Sequence, residues 1–156
     1  MTPVDERIIT ALEGRFTRAA DSFGTLLLEI ERERLLEVVA RLRHEFGFAL
    51  FLDVTAVDRP GRTPRFDVVY HFLSPAERKR VRLTLGVSAD DPTVPTLTGV
   101  YGAARFMERE AHEMYGIRFT DNDDLRPILL YEGFTGHPLR KDYAIDREQP
   151  TVPYRK

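Results

Sequence analysis

The chain has no cysteine in its 156 residues. Without a thiol there is no disulfide, no cysteine nucleophile, no iron–sulfur ligation and no cysteine-based zinc site. If the protein takes part in redox chemistry, other chains hold the clusters. An excess of charge of one sign is also missing: 23 Lys and Arg face 25 Asp and Glu, a formal net charge of -2. That balance argues against a polybasic surface for phosphates or anionic lipid, and so against nucleic acid as a partner. Long apolar runs are lacking, since "FALFL" at 48–52 falls far short of the ~20 residues of a membrane helix. The opening "MTPVDERII" is acidic early and has no charged-then-apolar leader pattern, which predicts a cytosolic chain. The short signatures of serine hydrolases, P-loop enzymes and dinucleotide binders do not occur. His112-Glu113 begins a zincin-like pair, but Gly116 stands where the second histidine is needed.

What is present suffices for one domain with a proper core, at 42% hydrophobic and 31% charged residues. Thr2-Pro3 followed by Asp5 and Glu6, with Ile8, Ile9, Leu12 and Phe16 on one side, predicts a short capped helix. Residues 24–31 form an apolar run suited to a strand. Leu35, Val39, Leu42 and Phe46 then recur at helical spacing, with Gly47 as a stop. A β-branched and aromatic strand at 48–57 is broken by "DRPGRTP". Strict alternation follows in "RFDVVYHFL" and "RVRLTLGV", the mark of a hairpin with Phe66, Val68, Tyr70, Phe72, Val81, Leu83, Leu85 and Val87 inward. Arg80 and Arg82 then face water or a partner. Residues 88–102 read as a long loop, 103–115 as a helix stopped by Gly116, and 125–130 as an edge strand around Pro127. Beyond this, glycines, prolines and alternating charge leave little periodicity, as expected of an arm lying across a neighbour.

The stretch "MEREAHEMYG" at 107–116 carries the strongest signal. On a helical wheel Ala103, Met107, Ala111 and Met114 share a stripe, and Glu110 lies at its edge. A buried, unpaired carboxylate costs several kcal/mol, so Glu110 is expected to pair with Arg118, Arg140 or Lys141, with Glu108 solvated. Glu108 and Glu110 lie about 160° apart and cannot flank one bond as a glycosidase pair does. A free-standing metal-dependent hydrolase would have to use His112, Glu113 and His137; ordinary surface or capping histidines are the plainer reading.

"EREAHEMYGIRF" at 108–119, followed by "LRPILLYEGFTGHPLRKDY" at 125–143, resembles the signature of the 30 kDa subunit (the C subunit) of proton-translocating NADH-quinone oxidoreductase, respiratory complex I. Glu108, Arg109, Glu110, Glu113, Gly116, Gly136, His137, Pro138, Leu139, Arg140, Lys141 and Asp142 fall within these motifs. Departures are Glu113 for the usual aspartate, Phe106 and Phe134 for common tryptophans, and Asn122-Asp123 for His-Pro. The resemblance implies a peripheral-arm subunit without catalytic residues, cofactor or metal of its own. It would dock to the quinone-site subunit and to cluster-bearing neighbours, which hold FMN and iron–sulfur clusters and carry electrons from NADH to quinone. It would lie on the cytoplasmic side of the cell membrane, bound only through the complex. An equivalent subunit of a membrane-bound nickel-iron hydrogenase, or of another quinone-reducing complex, is the alternative. The expected fold is an α/β (α+β) domain over 1–130, a small mixed or antiparallel sheet covered by helices, with an extended C-terminal arm over 131–156 packing on partner subunits.

Overall fold

Alternation along the chain decides which side of the central sheet is dry. In the computed structural model, which describes residues 1–149, β3 (Leu50–Asp58), β4 (Phe66–Ser74) and β5 (Lys79–Val87) form an antiparallel meander. Phe66, Val68, Tyr70, Phe72, Val81, Leu83, Leu85 and Val87 are all buried, as the period of two predicts. A second hairpin, β1 (Arg18–Ser22) and β2 (Thr25–Glu29), joins by parallel pairing of β2 with β5. The result is a five-stranded mixed sheet in the order β1-β2-β5-β4-β3. β1 reads "RAADS" and carries no strand signal; hairpin pairing with β2 makes it a strand.

Three helices cover one face of this sheet. The first, α1 (Pro3–Ala11), starts with a capping box in which Thr2 and Asp5 exchange hydrogen bonds. Asp5 also meets Lys79 of β5 at 2.8 Å, and both side chains are buried. Next, α2 (Leu35–Phe46) buries Leu35, Val38, Val39, Leu42 and Phe46, and Gly47 ends it at φ +66. The third, α3 (Ala104–Tyr115), packs against β3. No helix among the described residues is long and apolar enough to cross a membrane.

Two expectations about the loops change. Residues 88–102 are not all loop: β6 (Thr93–Pro95) pairs in parallel with β7 (Arg118–Thr120) on the far side of α3. Three residues that follow Pro92 and end on Pro95 have no period to read, and only the return of the chain after α3 supplies the partner strand. Residues 125–130 form no strand, because their backbone donors go to a side chain of α3 instead of a neighbouring strand. Residues 150–156 of the expected arm lie outside the described residues.

Candidate docking site

The wheel assignment on α3 is reversed. Glu108 is fully buried, whereas Glu110 is exposed and, among the described residues, makes no ion pair or side-chain hydrogen bond with Arg118, Arg140, Lys141 or any other group. Ala103 precedes the helix, and the buried arc runs through Ala104, Glu108, Ala111 and Met114. At 100° per residue its centre is turned roughly 50° from the expected stripe, and Glu110 falls in the gap between this arc and Glu113, which is buried separately under residues 128–130. Glu108 tolerates burial without a cation because its carboxylate accepts from Thr96 Oγ1 at 2.6 Å, Leu97 N at 2.7 Å and Asn122 Nδ2 at 2.8 Å. Burial still pushes its carboxyl above the usual range, against those three donors. Glu108 thereby ties the segment after β6 to the turn after β7.

Glu113, also buried, holds the chain on the opposite flank. Its two oxygens accept from three successive backbone amides, Ile128 at 3.3 Å, Leu129 at 2.9 Å and Leu130 at 2.9 Å. One turn earlier, Arg109 donates to the carbonyls of Arg126 and Pro127, both at 2.8 Å. A carboxylate for amides and a guanidinium for carbonyls clamp residues 126–130 onto the helix through backbone atoms, with little regard for the side chains there. Leu129 accordingly points outward, 62% exposed.

The C-terminus of α3 holds the next part of the arm. The last four carbonyls of any helix lack partners inside it. Here His112 O accepts from Gly116 N, while Glu113 O, Met114 O and Tyr115 O meet His137 Nδ1 at 2.9 Å, Leu139 N at 3.1 Å and Arg140 Nε. Residues 137–140 are thus a helix cap supplied from more than twenty residues away, with the Arg140 cation at the negative end of the helix dipole. Gly116 makes room for it. Its φ is +73, and a Cβ there would lie 2.5 Å from Arg140 Nη2 and 2.6 Å from His137 Nε2. Arg140 also lies over the Phe66 ring at 5.1 Å.

The following residues anchor on the sheet. Asp58, at the end of β3, pairs with Arg65 through two 2.7 Å bonds and accepts from Lys141 N at 2.7 Å; Arg65 reaches Asp142 at 2.8 Å. The Arg65 guanidinium holds the Asp58 carboxyl below its usual range. Between these anchors the arm packs on itself: Phe134 stacks on Tyr143 at 6.2 Å, and Gly136 at φ +97 leaves space for the Tyr143 ring. Pro138 is half-buried beside the cap, and Lys141 points its side chain outward. Sequence reasoning missed Asp58 and Arg65; Asp58 opens the "DRPGRTP" break and Arg65 opens the strand after it, and nothing local indicates that they meet.

Of the residues available for a metal, His112 and His137 lie edge to face at 6.4 Å. Their Nδ1 atoms are engaged by Ile117 O and Glu113 O, and the Glu113 carboxylate is filled by three amides. Among the described residues no group of three or more ligating side chains converges. The geometry suits holding a strap in place: the Glu113 carboxylate, the Arg109 guanidinium and both histidine Nδ1 atoms are engaged by backbone groups.

Comparison with known proteins agrees with this architecture. The profile of a family described as "Respiratory-chain NADH dehydrogenase, 30 Kd subunit" matches residues 28–149. The NADH-quinone oxidoreductase C subunit of Sinorhizobium medicae (strain WSM419) is 46% identical over 125 residues, 79% of this chain and 62% of that one. Its counterpart in Rhodopseudomonas palustris (strain BisB18) is 42% identical over 147 residues, 93% of this chain and 73% of that one. The chain thus spans less than two thirds of the first relative's length. Among solved structures, "Nqo5 of the trypsin-resistant fragment (1-134) in P63 form" is similar at a TM-score of 0.70 and 30% identity, over 78% of this chain and 99% of that one. A chain of the membrane-bound sulfane sulfur reductase, an archaeal respiratory membrane complex, has the same fold, with a TM-score of 0.78 and 21% identity over 90% of this chain and 83% of that one.

Proposed function

Because the chain belongs to the family of the 30 kDa subunit of respiratory-chain NADH dehydrogenase, we propose that it is a cofactor-free support subunit of an NADH-quinone oxidoreductase. It docks through α3 and the arm to the quinone-site subunit and its cluster-bearing neighbours, on the cytoplasmic side of the membrane. FMN and iron–sulfur clusters belong to those neighbours, and electrons pass from NADH to quinone without entering this chain. The signature residues Glu108, Arg109, Glu113, Gly116, His137 and Arg140 shape the docking surface from beneath. Gly136, Pro138, Leu139, Lys141 and Asp142 complete the strap, and Glu110 is left on the surface for a partner's cation.

One observation carries this reading. Among the described residues, the strap over 126–142 is fastened to its own domain chiefly by hydrogen bonds and ion pairs beneath it, while Leu129 and Leu139 within it and Ile145 just beyond are 62%, 47% and 103% exposed. A segment held rigidly with apolar side chains outward is built to be covered. The alternative of a hydrogenase-type complex shares the docking but differs in donor, and the names of the relatives favour the NADH-quinone branch.

The test is capture of partners from native membranes solubilised in mild detergent, with the wild-type chain and a Leu129→Asp/Leu139→Asp variant. The wild type is expected to retain cluster-bearing chains, and the variant to lose them with its circular dichroism unchanged. Equal capture by both would refute docking through this surface. A wild-type chain that binds stoichiometric metal and catalyses hydrolysis alone would refute the whole reading.

A further inference from the structure

The helices and the anchored part of the arm lie on the covered side of the sheet, to which Asp58 points; the other face is open. Loop residue Pro64 closes one end by packing on Gly86, where a Cβ would lie 2.3 Å from the proline ring. The resulting concavity of about 880 Å³ is lined by Thr17, Arg59, Val69, His71, Arg82 and others. Strand register places Leu27, Arg82, His71 and Asp53 in one row across four strands, with Arg80, Leu73 and Leu50 in the next.

The charge of this face is unlike that of the molecule. Arg18, Arg59, Arg62, Arg80 and Arg82 stand against Glu29, Asp53 and Asp67, in a chain whose formal net charge is -2. Two of the three carboxylates are already taken: Glu29 by Arg18 at 3.0 Å, and Asp67 by Arg59 at 2.8 Å and by Arg62. Arg80 and Arg82 have no ion pair among the described residues. The Nε of Arg82 is buried without an acceptor while the residue as a whole is only half-buried, so the guanidinium is held by no protein group among the described residues and its terminal nitrogens are left for a docking carboxylate. Leu27, Val57, Val69 and Leu73 lie between the charges, half-buried or exposed, on the same face.

We propose that the open face of the sheet is a second docking surface, occupied by an acidic segment of another polypeptide whose carboxylate reaches Arg82. An arginine fork suits a carboxylate, and the interleaved apolar side chains offer contacts that a free anion cannot use. With strands about 4.8 Å apart, the face spans several residues of an extended ligand. It lies opposite the arm, so the subunit would sit between two neighbours.

The full chain is titrated at low ionic strength with a hexaglutamate peptide, and the Arg82 Nε–Hε and His71 ring resonances are followed by NMR. Saturable shifts centred on Arg82, His71 and Leu27 are expected, weakened about ten-fold in Arg82→Gln and absent with hexalysine. Equal shifts with inorganic phosphate would show a plain anion site and overturn the proposal. So would tighter association with phosphatidylglycerol vesicles, a dimer by sedimentation that Arg82→Gln dissolves, or no saturable shift at all. No residue of α3 or the arm takes part, so the outcome is independent of the partner capture described above.

Discussion

Glu108 and Glu110 show how little a residue's chemistry says about its burial until its neighbours are known. A wheel that counts glutamate as polar turns Glu108 to solvent, yet three donors converge on it from segments that meet only in the fold. Replacing Glu108 by alanine removes their common acceptor and leaves a cavity, so a loss of about 2–4 kcal/mol is expected in urea denaturation. Glu110→Ala should change the midpoint by less than about 0.5 kcal/mol, as exposed substitutions do. Equal losses would contradict the burial described. Tyr101 is a quieter case: its hydroxyl donates to Phe48 O at 2.6 Å, Arg43 lies over its ring at 4.7 Å, and burial pushes its phenol up to about 12.

The C-terminus of α3 and the strap across it make one unit, and its weak points follow from its bonds. Gly116→Ala forces a β-carbon into left-handed backbone, at roughly 1–2 kcal/mol, and into the space of Arg140 and His137. The strap should then be cleaved faster by protease near residues 131–143 while the hairpins stay protected. His137 supplies a pH dependence. Burial holds its imidazole below the usual range, opposed by its bond to Glu113 O and reinforced by Arg140 and His112. The loosened strap therefore binds the proton more readily than the docked one. Docking is complete above the ordinary histidine value of about 6.5 and weakens as pH falls below it towards the depressed value. Protection factors of the Leu139 and Arg140 amides, taken relative to the intrinsic exchange rate at each pH, should fall as pH drops below about 6.5 in the wild type, and much less in His137→Asn, which keeps a donor and loses the titration. Identical pH profiles would show that His137 is not the group responsible.

At the scale of the whole molecule, two buried carboxylates are held by cations: Asp5 of α1 by Lys79 of β5, far along the chain, and Asp58 of β3 by Arg65 across the loop that leads into β4. Burial works against ionising Asp5, but Lys79 and the Thr2 bonds prevail, and Arg65 dominates at Asp58; both carboxyls are held below their usual range. The stability they contribute is present above the ordinary aspartate value of about 4 and is lost as pH falls through the depressed values. Global unfolding should therefore become easier below about pH 4. Lys79→Ala, which strands a buried carboxylate, should cost about 3–5 kcal/mol at neutral pH and less in acid, checked by denaturant midpoints at both. The alternation of β4 and β5, the apolar face of α2 and its Gly47 stop were legible from residue order, because they depend on periods of two and 3.6 that any local window contains. The motif-bearing segments were legible too, but not what each residue does. Whether Glu108 or Glu110 is buried, that residues 137–140 cap a helix ending at Tyr115, and that β6 finds β7 across α3 are decided by folding. Each depends on donors and acceptors brought together over long stretches of chain, and a backbone group has the same chemistry at every position until the fold chooses its partner.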